Sequence, residues 1–74
     1  MTQLYHCRIE DEIGQVWEGI LSRDEFLNTV AEKLGLFNEH DPETSRRFAA
    51  YFIGPLWKER AEIGDWIIEW TCPA

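Results

Sequence analysis

The chain has 74 residues and a net charge of −7, enough for one acidic domain spanning 1–74. Fourteen Asp and Glu against seven Lys and Arg disfavour direct contact with nucleic acid or an anionic membrane, and no apolar run reaches the length of a membrane span. Four Trp, four Phe and two Tyr argue for a folded core rather than a disordered tail.

Residues 3–10 and 15–22 alternate as the two strands of a hairpin. A three-residue loop of Glu12, Ile13 and Gly14, with Gly14 in the left-handed region, sets Asp11 opposite Gln15. Ile9 then faces Trp17, Cys7 faces Gly19 and Tyr5 faces Leu21, all on one face. The other face sets Arg8 against Glu18, and His6 opposite Ile20 is the weak point of the register.

Ser22-Arg23-Asp24-Glu25 reads as a capping box, and Leu21 with Phe26 as a hydrophobic staple. The spacing of Phe26, Leu27, Val30, Ala31 and Leu34 predicts a helix over 23–34, stopped by Gly35 with Leu36 folding back. An acidic loop over 38–43 leads to a second helix, capped by Asp41 and opened by Pro42. Phe48, Ala49, Phe52 and Ile53 mark its buried side, and Gly54-Pro55 ends it. Residues 56–62 are mostly strong helix formers and predict a short third helix stopping near Gly64. The rival reading is a strand hairpinned to the last one through Gly64 and Asp65.

Residues 65–71 form the final strand, with Trp66, Ile68 and Trp70 on one face and Ile67, Glu69 and Thr71 on the other. A strand apolar on both faces is usually central, or covered on each side. A small sheet with helices on one side leaves an exposed apolar patch around Leu4, Ile20 and Ile67, unless Ile67 is simply an isolated surface residue. The fold class is therefore α+β: an N-terminal hairpin, two or three helices, and a C-terminal strand completing a small, mainly antiparallel sheet with the helices on one face.

Little in the chain reads as chemistry. The metal-ligating types are His6, Cys7, His40 and Cys72, without a C-x-x-C pair. His6 and Cys7 are adjacent on a strand and point to opposite faces, so they cannot share an ion. Cys7 and Cys72 read as free buried thiols, a disulfide being the alternative if the last strand pairs with the first. Ser22 is committed to a helix cap, and His40 reads as a solvated loop residue. No nucleophile, P-loop or dinucleotide motif is present, and so short a chain leaves little room for a substrate pocket. The expectation is no enzyme, no metal and no cofactor.

Binding remains. Carboxylates gather at Glu10, Asp11 and Glu12, at Glu39, Asp41 and Glu43, and at Glu59, Glu62, Asp65 and Glu69. Arg46-Arg47, the basic doublet, reads as a solvated helix face with Glu43 one turn before Arg47. Trp57, Trp66 and Trp70 read as core, with an interface as the alternative. The candidate partner-binding residues are Glu10, Asp11, Glu12, Glu59, Glu62, Asp65, Ile67 and Glu69. The expected function is a regulator or inhibitor that docks on a basic surface of a larger macromolecular machine. Its concrete form is a phage-encoded protein acting on host RNA polymerase, in the cytoplasm of a bacterial cell or phage-infected host. The alternatives are an assembly subunit, homodimeric through the C-terminal strand, and a nucleic-acid mimic inhibiting a DNA-binding protein. The mimic requires one continuous acidic stripe.

Overall fold

The alternating segments at the start of the chain pair in the register that their charges and apolar side chains favour. The computed structural model describes residues 3–71. Strands β1 (Leu4–Glu10) and β2 (Val16–Ser22) form an antiparallel hairpin with Ile9 opposite Trp17, Cys7 opposite Gly19 and Arg8 opposite Glu18. The Asp11 amide donates to the Gln15 carbonyl at 2.9 Å, and Gly14 turns the chain at φ 84°. Gly19 is where Trp17 lies down: a Cβ there would sit 2.7 Å from the far edge of the indole.

Helix α1 (Arg23–Lys33) begins at the capping box, the Glu25 amide donating to Ser22 Oγ at 3.3 Å and the Ser22 amide to Glu25 Oε1 at 3.1 Å. It ends in a Schellman motif, the Leu36 amide donating to the Ala31 carbonyl at 2.8 Å and the Gly35 amide to the Glu32 carbonyl at 3.1 Å. Helix α2 (Pro42–Ile53) starts at Asp41, whose carboxylate accepts from the Thr44 amide and hydroxyl at 3.2 and 2.6 Å. No helix among the described residues is long and apolar enough to cross a membrane.

Two expectations are corrected here. The buried face of α2 is Ser45, Ala49 and Ile53, and Phe48 and Phe52 are exposed. Ser45 is drawn inward by its hydroxyl, which donates to the Asp41 carbonyl at 3.1 Å and accepts from the Asn38 amide at 2.8 Å. That rotates the helix and turns the two Phe outward. Residues 56–62 also form no third α-helix. A single 3-10 turn (Leu56–Lys58) stops at Glu59, which adopts φ 60°, and strand β3 (Arg60–Ile63) follows. Helix propensities differ by tenths of a kcal/mol per residue, roughly 0–0.7. A strand ladder that half-buries Ala61 and Ile63 outweighs them.

The rival hairpin through Gly64 and Asp65 therefore forms, and β4 (Trp66–Thr71) pairs with β3 on one side and β1 on the other. The sheet has four antiparallel strands in the order β2-β1-β4-β3, with two helices, which is an α+β fold. β4 is central, as its two apolar faces suggest. α1 lies against β1 and β2, and α2 against α1 and β3. Between helices and sheet lie Cys7, Ile9, Phe26, Leu27, Val30, Ala31, Ala49, Ile53, Ile68 and Trp70. Trp70 is pinned from both ends, its ring tilted against Phe26 at 5.5 Å and its Nε1 donating to the Leu56 carbonyl at 2.8 Å.

Candidate functional site

Strand alternation sends half of each strand to the face that no helix covers. This open face carries two cross-strand rows. One reads Glu18, Arg8, Glu69, Arg60 from β2 to β3, alternating in sign. The next reads Val16, Glu10, Ile67, Glu62. Arg8 is the hub: its guanidinium lies 3.3 Å from Glu69, 3.4 Å from Glu10 and 3.7 Å from Glu18. Arg60 lies 2.7 Å from Glu62. Four carboxylates thus share two arginines, and their spare lone pairs face solvent. Pairs this exposed contribute roughly 0–1 kcal/mol each to stability. Their larger effect is to fix the carboxylates in position and leave an acidic excess.

Exposed apolar side chains stand beside these charges: Leu4, Val16 and Ile20. Ile67 is half-buried between Glu10 and Glu62. A hollow of about 170 Å³ lies among His6, Arg8, Glu18, Glu69 and Thr71. At one end of the sheet, the two Gly-closed turns place Asp11, Glu12 and Asp65 next to this face, since Glu10 pairs with Ile67.

Of the residues expected to bind a partner, Glu10, Glu62, Ile67 and Glu69 are brought together on the open face, and Asp11, Glu12 and Asp65 at its turn end. Asp11 is partly committed: one carboxylate oxygen accepts from the amides of Ile13 and Gln15 at 3.0 and 2.8 Å. Glu59 stands apart, at the opposite end of β3, where its carbonyl accepts from the Trp70 amide at 3.1 Å. Sequence reasoning set Glu18 opposite Arg8 on this face but left Glu18, Val16 and Arg60 out of the partner-binding residues. The Arg8–Glu18 pairing was the available signal for Glu18. Trp57 is exposed rather than core, while Trp70 is buried and Trp66 half-buried.

Two open depressions are larger than so short a chain led us to expect. One, about 320 Å³, lies between Trp17 and Trp66 with Asp11 and Lys33 on its rim. The other, about 350 Å³, lies between the helices among Arg23, Asp24, Glu43, Arg46 and Arg47. Cys7 is a buried free thiol, and burial pushes it up to about 11. Cys72, its suggested disulfide partner, lies outside the described residues. Among the described residues, no group of three or more His, Cys, Asp and Glu is arranged to hold a metal.

Comparison with protein-family models, with curated proteins and with solved structures finds no match to this chain. The site must be read from its own chemistry.

Proposed function

We propose that the chain is a small protein-binding regulator that docks the open face of its sheet on a basic surface of a larger macromolecular machine. The observation that carries this reading is the open face itself. It holds Glu10, Glu18, Glu62 and Glu69 against two arginines, interleaved with exposed Leu4, Val16 and Ile20. Carboxylates held in a fixed lattice lose little freedom on meeting Lys or Arg, and the apolar side chains beside them gain by leaving water. Binding, not catalysis, is the role this face suits.

The concrete form of the proposal is a phage-encoded regulator of host RNA polymerase, a nucleic-acid enzyme with basic channels. Electrostatic complementarity supports it. A complete phosphate mimic is less well supported, because Arg8 and Arg60 interrupt the carboxylate row. A homodimer through β4 has only the open face of that strand to use, since both its edges are paired.

The test is binding of the tagged chain to purified bacterial RNA polymerase and to basic complexes in a bacterial lysate, washed at low and then high salt. Retention that high salt releases, and that Glu10→Lys with Glu69→Lys abolishes, is the expected result. Retention indifferent to both salt and the charge reversal would sink the docking face. Salt-sensitive capture of a different complex would remove the polymerase and keep the face.

A further inference from the structure

The outer flank of α2 is aromatic and uncovered. Phe48, Tyr51 and Phe52 are 53%, 81% and 43% exposed, and Trp57, in the turn leading from α2 to β3, is 77% exposed. Tyr51 and Phe52 meet edge to face, centroids 5.7 Å apart. The direction of this flank follows from the helix. Ser45, Ala49 and Ile53 point to the core, and Arg46 turns toward α1, its Nη1 3.3 Å from Asn28 Oδ1. Helical spacing then turns Phe48 and Phe52 to the opposite flank, the side of the sheet that β3 closes as its edge strand. Together the four rings offer on the order of 500 Å² to water, the size of the largest apolar patch on an ordinary monomer, here carried by a chain of only 74 residues.

The edge beneath them is self-complementary. Because the Trp70 amide bonds the Glu59 carbonyl, the alternation of an antiparallel ladder turns the backbone groups of Ala61 and Ile63 toward β4. The amides and carbonyls of Arg60 and Glu62 therefore point out of the sheet. Their side chains, of opposite charge, stand side by side on the open face.

We propose that two copies of this chain join across the β3 edge about a two-fold axis at Ala61, with the aromatic flanks of their α2 helices meeting on the helical side. In this register Arg60 faces the second copy's Glu62, and Glu62 faces its Arg60. The outward backbone groups of those residues are the ones an added antiparallel strand needs, so charge and hydrogen bonding select the same alignment. Sliding by two residues either way sets Glu62 against Glu62 or Arg60 against Arg60. The other edge strand, β2, offers Glu18 and no cation. Full burial of both aromatic flanks would remove on the order of 1,000 Å² in total, about the least that a specific interface requires, before the strand pairing is added. Charge also favours this side. From Pro42 to Ile63 the chain carries Arg46, Arg47, Lys58 and Arg60 against Glu43, Glu59 and Glu62, so a second copy approaches here without the repulsion expected of a strongly acidic protein. The pairing makes one sheet of both copies and leaves their open faces uncovered on the same side. It is thus independent of whether that face binds a partner.

Sedimentation of the full chain over a concentration series tests this, with circular dichroism to verify folding. The wild type is expected to be a dimer. Arg60→Glu sets like charges together twice, by symmetry, and is expected to raise the dimer dissociation constant about 100-fold. Glu62→Arg does the same. The double variant restores the dimer, and the two single variants, mixed, form a heterodimer. Tyr51→Glu, on an exposed position, also yields a folded monomer. A wild type that stays monomeric at millimolar concentration overturns the proposal. A dimer that neither charge reversal nor Tyr51→Glu weakens overturns it too, because the copies would then meet elsewhere, such as on the open face.

Discussion

Cys7 shows how far a single side chain is set by its surroundings. It sits on the core face of β1, fully buried, with its sulfur 3.5 Å from the Tyr5 carbonyl. Burial disfavours the thiolate and pushes the thiol from 9.0 to about 11. The thiolate is the nucleophile, so Cys7 is inert in the folded chain. In a Cys72→Ser variant, iodoacetamide at mildly alkaline pH should leave Cys7 unmodified until denaturant is added. Rapid labelling of the native protein would contradict the burial. The sign for stability follows. A raised pKa favours the folded state below 9.0, and that contribution is lost as the pH rises through about 11. Ser45 makes the complementary point for a polar group. Its hydroxyl is buried but both donates and accepts, so it anchors the start of α2 where an unpaired hydroxyl would destabilise it.

At the scale of elements, the helix starts are acidic devices. Hydrogen bonds from the Ser22 backbone and then its side chain hold the Glu25 carboxyl below the usual glutamate range. Hydrogen bonds from the Thr44 side chain and then its backbone, with the Arg47 charge in support, lower Asp41. Groups lowered in the folded state contribute stability above their ordinary values, 4.5 and 3.8, and lose it as the pH falls through the lowered ones. The helical circular dichroism signal and the urea midpoint should therefore hold steady at neutral pH and decline below about 4.5. Ser22→Ala should cost about 1 kcal/mol at neutral pH and flatten part of that decline. A midpoint insensitive to acid would show that the caps contribute nothing. These devices were legible in the sequence because each is local: the capping box, the stop at Gly35 and the hairpin register lie within a few residues of chain. The face of α2 was not. Phe48, Ala49, Phe52 and Ile53 all satisfy helical spacing, and the choice among them was made by Ser45 reaching back to residues 38 and 41. Residues 60–63 were legible only as two rival readings. Their preference for helix yields to β4, the strand partner that the turn at Gly64 and Asp65 also offered.

At the scale of the whole molecule, strand order decides what the site is. Alternation alone placed Ile67 and Glu69 on the outward face of the last strand, but only the insertion of β4 between β1 and β3 sets them in adjoining rows with Glu10 and Glu62. The same order makes Arg8 a tie among three carboxylates on three strands. Arg8→Gln should leave Glu10, Glu18 and Glu69 repelling one another and cost about 1 kcal/mol, given how exposed the pairs are. Molar salt should recover most of that loss, since the repulsion is screened within a few ångströms. A urea series with and without salt measures both effects, and a loss unchanged by salt would point to packing of the Arg8 stem instead. The position of β4 has a consequence for how the domain comes into being. It is the last made of the four described strands and the one that joins β1 to β3. Until Thr71 has been made, the hairpin of β1 and β2 is backed only by α1, and the second edge of β1 and the whole of β3 lack their strand partner. Folding therefore waits for the completed segment, with apolar strands open to other chains in the meantime. The risk built into this topology is aggregation during synthesis rather than weakness once folded.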